Sequence, residues 1–258
     1  MINLKEHLER REFVAGTHIG LTDSSVTELY GNIGFDFVWI DTEHSAIDYQ
    51  VLLHHIIAAK AGGMHSLVRI PWNDAILAKR VLEMGPSGII FPMVNTPDEL
   101  DAAMQSTLYP PLGTRGFGPM RAVQFGNKSL DDYIQTGSLD LVRCVQIESE
   151  TAVENLERMT VNPHVDCFIL GPCDLSGSIG ELNNVFGRRT LELVEKAVAI
   201  TKAAGKSIGV STLSEDPDVI RRWHEMGINF ISAGGDATSI VSGARRVHAI
   251  LRALGGNS

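Results

Sequence analysis

Eight short apolar, β-branched runs alternate along this chain with longer segments of helical period, and this constrains the fold more than any single motif. The runs are 14–20 (VAGTHIG), 36–41 (DFVWID), 66–70 (SLVRI), 87–91 (SGIIF), 141–147 (LVRCVQI), 166–170 (DCFIL), 207–211 (SIGVS) and 229–233 (NFISA). Runs that are apolar nearly throughout suit strands buried on both faces. Strands that alternate with helices imply a parallel sheet with crossover helices. The helical segments fall at 24–33, 48–62, 74–84, 97–106, 150–159, 187–204, 215–226 and 236–254. Thr96-Pro97-Asp98-Glu99 supplies an N-cap, a proline at the first helical position and early acids. Eight strands and eight helices in 258 residues fit an α/β fold of the closed (β/α)8 TIM-barrel type, built as one domain over 1–258. A doubly wound open sheet is the alternative.

The formal net charge is −9, with an isoelectric point near 5.4. An acidic surface repels phosphate backbones and anionic lipid, so nucleic acid and membrane are poor partners. An anionic substrate would need local positive charge, from an arginine or a metal ion. The three cysteines, Cys144, Cys167 and Cys173, sit in apolar surroundings and suggest no disulfide framework. No Cys/His zinc spacing appears. The start, MINLKEHLERREF, reads as a charged amphipathic turn or two rather than a signal peptide. A reducing, cytoplasmic location is expected.

One connection is long. Residues 107–128 contain three prolines and four glycines, and long irregular loops are often functional. The Gly116-Phe117-Gly118 pattern within it lacks the third glycine and the strand–helix setting of a nucleotide loop.

Barrel enzymes work at the C-terminal ends of their strands. Strand two ends in Asp41-Thr42-Glu43-His44, strand three in Arg69, and strand five in Gln146-Ile147-Glu148. Strand six runs into Gly171-Pro172-Cys173-Asp174. Glu148 and Asp174 would repel each other unless protonated or bridged by a cation. Hard oxygen ligands suit Mg²⁺, Mn²⁺ or Co²⁺; alternatively, Glu148 is a helix-start acid and Asp174 an N-cap. Arg69 would either stabilise an enolate oxygen or pair with Asp41 or Glu43. His44 would serve as a base oriented by its acidic neighbours, or be structural. An imine mechanism needs a lysine at a strand end. The seven lysines offer none, and Lys206 precedes strand seven at the wrong end of the barrel.

Six ordered segments carry a resemblance: GFDFVWIDTEHS (34–45), VRIPWND (68–74), FPMVNTPDEL (91–100), YPPLGTRGFG (109–118), VQIES (145–149) and LGPCDLS (170–176). The sequence resembles the HpcH/HpaI aldolase family, the metal-dependent class II pyruvate aldolases. The resemblance implies a barrel of the pyruvate/phosphoenolpyruvate superfamily, often hexameric. It implies cleavage or formation of 4-hydroxy-2-oxo acids, giving pyruvate and an aldehyde through an enolate. By the same resemblance Glu148 and Asp174 are metal ligands. Gln146 and the backbone at Cys173 and Asp174 bind the pyruvate unit. His44 moves the proton, Arg69 stabilises the transition state, and Asp41 orients the histidine. Glu83 stands where the family tunes the base with an Asp, and would need an adjacent subunit to reach it. Cys173 replaces a small Ala-like residue. His18 stands where similar enzymes carry Trp on the substrate wall, which leaves the aldehyde open. Two other functions compete: a lyase or synthase using oxaloacetate and acyl-CoA on the same barrel, and a non-catalytic 2-oxo-acid-binding protein.

Overall fold

The structure is a computed structural model and describes residues 2–255. Eight parallel strands close into a barrel in sequence order. They are β1 (Val14–Ile19), β2 (Phe37–Asp41), β3 (His65–Arg69), β4 (Gly88–Phe91), β5 (Val142–Ile147), β6 (Cys167–Leu170), β7 (Ser207–Thr212) and β8 (Phe230–Gly235). All eight expected runs are strands. The last one reaches two residues further than its composition indicated, because after a register irregularity Gly235 still pairs with His18 of β1.

The helices are α1 (Leu4–Glu9), α2 (Ser25–Ile33), α3 (Tyr49–Ala61), α4 (Ala75–Glu83), α5 (Pro97–Thr107), α6 (Leu130–Asp132), α7 (Glu150–Met159), α8 (Pro172–Ser178), α9 (Arg188–Ala203), α10 (Pro217–Glu225) and α11 (Asp236–Leu254). Eight match the expected segments, α1 is the amphipathic turn or two expected near the start, and α6 and α8 are additions. Local chemistry sets several starts. The Thr96 side chain accepts from the Glu99 amide, and the Glu99 carboxylate accepts from the Thr96 amide, a complete capping box. Asp48 and Asp74 cap α3 and α4 in the same sense.

Alternation along the strands divides the side chains into two sets. One set packs under the surrounding helices. The other fills the barrel with Val14, Phe37, Trp39, Leu67, Ile90, Cys144, Cys167, Ile169 and Phe230, closed below by Leu4 and Leu8 of α1. Phe37 and Phe230 stack at 4.2 Å between centroids. Gly16 makes room for them, since any Cβ there would run into the Phe37 ring. The same alternation continues upward and decides the site. Trp39 is followed two residues on by Asp41, Leu67 by Arg69, and Cys144 by Gln146 and then Glu148.

The long loop lies at the other end. It follows α5 and returns to β5, so it runs beneath the barrel. Its Leu112, Arg115, Ala122 and Lys128 line a cavity with the strand-start residues His65, Ser87 and Val142. Within one chain this loop does not reach the strand C-termini. No helix among the described residues is long and apolar enough to cross a membrane.

Candidate active site

A cavity of about 720 Å³ opens over the C-terminal ends of the strands, and His18, Asp41, His44, Arg69, Gln146, Glu148, Cys173, Asp174 and Ser211 are among its walls. The cavity beneath the barrel is slightly larger, about 810 Å³, but three of its cations are already engaged. Lys5 and Arg143 donate to backbone carbonyls, and Arg115 pairs with Glu83 at 3.1 Å. The upper cavity is the one at the strand C-termini, where barrel enzymes work.

Asp41 and Arg69 are register partners on β2 and β3. The guanidinium meets the carboxylate with two prongs, Nε to Oδ1 at 3.0 Å and Nη2 to Oδ2 at 2.6 Å. Nη1 lies 3.0 Å from Glu43 Oε2. Burial works against the Asp41 charge, but Arg69 outweighs it and holds this carboxyl below its ordinary value. Burial also dominates at Glu43 and raises its pKa in spite of Arg69. The pairing foreseen for Arg69 thus occurs with both acids. Two of the guanidinium's five N–H groups are hydrogen-bonded, both to Asp41, and Glu43 Oε2 is held by charge alone, without a hydrogen bond, so N–H groups remain to face a ligand.

The expected orienting role of Asp41 requires correction. Its Oδ1 accepts from the backbone amides of Glu43 and His44, so it shapes the loop that carries the histidine and does not touch the ring. The imidazole stands largely exposed at the rim, with Nε2 3.8 Å from Glu43 Oε1. Glu83 lies away from the cavity, at the helix end where the sequence placed it. It ends α4 and pairs with buried Arg115 near the lower end of the barrel, because a helix that follows a strand descends away from the strand's C-terminus.

Glu148 is buried at the centre of the site. Its Oε2 accepts from the Met93 amide at 2.9 Å, and its Oε1 from Gln146 Nε2 at 2.6 Å. Burial pushes its pKa up to about 7, and the charges of Asp174 and Glu43 push the same way. Asp174 is exposed in the first turn of α8. Two carboxylates whose charges oppose each other fit a hard divalent cation. The buried Gln146 Oε1 has no hydrogen-bond partner, so it too can accept from a ligand. Among the described residues no group of three or more His, Cys, Asp and Glu side chains is arranged around one point. Glu148 and Asp174 could therefore supply only part of a coordination sphere, the rest falling to water and substrate.

Sequence reading missed several contributors. Met93 presents its amide to Glu148 from a left-handed backbone, φ 52°; a main-chain donor leaves no residue-type signal. Gly171 gives the Glu148 carboxylate its space. Ser211 and Ser232 bracket His18, and their spacing in an apolar strand carried no message.

Fold and site together define a (β/α)8-barrel enzyme with acid, base and guanidinium groups at the strand C-termini. Residues 15–243 match the family HpcH/HpaI aldolase/citrate lyase, and the chain belongs to that family of carbon–carbon lyases. It is 32% identical over 247 residues to a 2-dehydro-3,6-dideoxy-6-sulfogluconate aldolase from Pseudomonas putida, with 95% of each chain covered. It is 32% identical over 234 residues to a hydroxypyruvate/pyruvate aldolase from Deinococcus radiodurans, covering 91% of this chain and 84% of that one. A crystal structure of a family member from Burkholderia cenocepacia J2315 superposes with a TM-score of 0.91. It is 30% identical and covers 98% of this chain and 100% of that chain.

Proposed function

We infer that the chain is a divalent-metal-dependent aldolase that splits 4-hydroxy-2-oxo acids into pyruvate and an aldehyde, and joins them in reverse. The observation that carries this reading is buried Glu148, with its raised pKa, in one cavity with Asp174 and Arg69. Glu148 and Asp174 would hold Mg²⁺, Mn²⁺ or Co²⁺. When bound, such a cation supplies Lewis-acid stabilisation to a 2-oxo acid as it becomes an enolate.

The chain's own groups do the rest. Gln146, with the backbone at Cys173 and Asp174, holds the pyruvate carboxylate end. His44, exposed at the rim and free to work through water, takes the proton of the 4-hydroxyl. The C3–C4 bond then breaks, its electron pair stays on C3, and a carbonyl forms at C4. The aldehyde leaves, and C3 is protonated to give pyruvate. The N–H groups of Arg69 that Asp41 does not take are offered to the developing enolate oxygen, while the two-pronged Asp41 contact fixes the guanidinium plane.

Self-association belongs to the same reading. Ile240, Val247, Ile250, Leu251 and Leu254 leave an exposed apolar stripe along α11, and stripes of this kind are commonly covered by a partner. A homo-oligomer, hexameric by family resemblance, would also be the setting in which Glu83 could approach a neighbour's site. Nothing in the cavity needs a membrane or nucleic acid, and a cytoplasmic location fits.

The test is turnover of pyruvate with an aldehyde panel after exhaustive chelation and after return of each metal. Activity that survives chelation would overturn the metal requirement. Pyruvate methyl-proton exchange without any aldehyde reports enolisation separately.

A further inference from the structure

The wall of the cavity opposite the carboxylates is built from β7, β8 and β1, and it is polar in one particular sense. His18 is buried there, with its ring 5.2 Å from that of Trp39. Its Nδ1 lies 3.2 Å from the Gly234 carbonyl oxygen and 3.1 Å from Ser232 Oγ. Its Nε2 lies 2.8 Å from Ser211 Oγ. A carbonyl can only accept, so Nδ1 carries the ring proton. Burial, reinforced by the Arg69 charge, lowers the pKa of this ring to about 4, so at neutral pH Nε2 is an acceptor. The Ser211 hydroxyl must then give its proton to Nε2. What Ser211 turns toward the cavity is a pair of lone pairs.

The rest of this wall offers an incoming group no positive charge. Asp236 is buried beside it, with its oxygens on the amides of Gly20, Leu21 and Ala237. The cavity's guanidinium, Arg69, lies beyond Trp39 on β3 and already faces two carboxylates. A lone-pair surface next to a buried carboxylate repels an anionic group and welcomes a donor.

We propose that Ser211, oriented by His18, selects an uncharged hydroxyaldehyde as the partner of the pyruvate unit, by accepting a hydrogen bond from the aldehyde's hydroxyl. Ser211 is the residue that touches the substrate, and His18 is a positioning residue that fixes the direction of its proton. This rests on the aldolase reading above and names the substrate class for it.

The experiment compares glycolaldehyde with propionaldehyde, which has the same size but lacks the hydroxyl, and with succinic semialdehyde, which carries a carboxylate. Each is joined to pyruvate by the metal-loaded enzyme, and kcat/KM is referred to free aldehyde. The wild type should favour glycolaldehyde over both. Ser211→Ala should shrink the glycolaldehyde-to-propionaldehyde ratio by about fivefold to tenfold, the scale of one hydrogen bond. His18→Phe keeps a ring beside Trp39 but frees the serine proton, and should shrink the ratio likewise while raising use of succinic semialdehyde. Ser211→Ala tests the same contact if His18→Phe does not fold. A ratio unchanged in Ser211→Ala, or a wild type that prefers succinic semialdehyde, overturns the proposal while pyruvate methyl exchange remains intact. Absence of both exchange and turnover in the metal-loaded wild type would remove the aldolase reading, and this inference with it.

Discussion

Gly171 lies against the Glu148 carboxylate so closely that a Cβ at that position would sit 2.8 Å from Glu148 Cγ and 3.0 Å from its Cδ, and nearer still to Oε1. The backbone of Gly171 is not in the left-handed region, φ −104°, so an alanine is excluded by space and not by conformation. Glu148 cannot simply swing aside, because Met93 and Gln146 hold its two oxygens.

Gly171→Ala should therefore displace the carboxylate while the barrel stays folded. Residues that orient a metal ligand typically contribute roughly 10–100-fold in affinity or activity, and a loss of that size in Mn²⁺ affinity is expected. Calorimetric titration with Mn²⁺, alongside a thermal melt, measures it. Unchanged metal affinity would mean that Glu148 does not bind the ion from its present position.

Arg69→Lys should be a poor enzyme. Lysine lacks the planar fork, so it cannot grip both oxygens of Asp41, reach Glu43 and still present donors to the substrate. Loss of an oxyanion contact costs about 2.7–4 kcal/mol, or roughly 10²–10³ in rate. The loss should appear in aldol cleavage and in pyruvate methyl exchange alike, because both pass through the enolate. Near-normal exchange in the variant would assign Arg69 to holding Asp41 and Glu43 only.

The barrel was legible because its signal repeats. Eight apolar runs and eight helical segments each confirm the others, and only short elements such as α6 and α8 lacked enough periodic residues to be seen. The placement of Asp41, Arg69, Gln146 and Glu148 was legible for the same reason, since a strand end and a period of two fix position and direction. Loop geometry was not. Asp41 could be put near His44 by sequence separation, but which of Arg69 and His44 it would engage depended on β2–β3 register. The place of Glu83 away from the cavity was legible, because helices run downward from the site. Met93, Gly171 and Ser211 act through a main-chain amide, an absent side chain and a proton direction, none of which a residue name reports.

Acid should weaken the fold through His18. Its pKa is ordinary, near 6.5, when unfolded and falls to about 4 in the folded chain, with burial the main cause and Arg69 the second; Asp41, the Gly234 carbonyl and Asp236 oppose them. Between those values the unfolded chain binds the extra proton, so stability rises with pH across this window and is lost as pH falls through it. The shift corresponds to something on the order of 3 kcal/mol. Glu148, raised to about 7, acts in the opposite sense over an overlapping range, so the informative quantity is the difference between wild type and His18→Phe. Denaturant unfolding of both at pH 4.5 and pH 7 should show the variant gaining relative stability in acid. A constant difference would place a charged or solvated imidazole at this position.

The final expectation concerns His44 as the base. Its loop is set by Asp41, whose Oδ1 takes the amides of Glu43 and His44, while the ring itself is exposed with Glu43 at 3.8 Å. This arrangement leaves the imidazole free to meet a hydroxyl directly or through one water. The cavity's other histidine, His18, is buried with both ring nitrogens engaged, so it cannot substitute. General acid–base catalysis typically contributes 10²–10⁴-fold, and His44→Ala should lose about that much in cleavage. Pyruvate binding should persist, because Gln146, Glu148 and Asp174 hang on β5 and α8 and make no contact with the imidazole. Methyl-proton exchange decides how far the role extends: a base shared by both proton transfers loses exchange along with cleavage, whereas one confined to the 4-hydroxyl leaves exchange intact. Cleavage rate, exchange rate and pyruvate affinity are therefore measured together on the same metal-loaded variant. Full cleavage activity would take His44 out of the mechanism, and loss of pyruvate affinity in a folded protein would make it a binding residue instead.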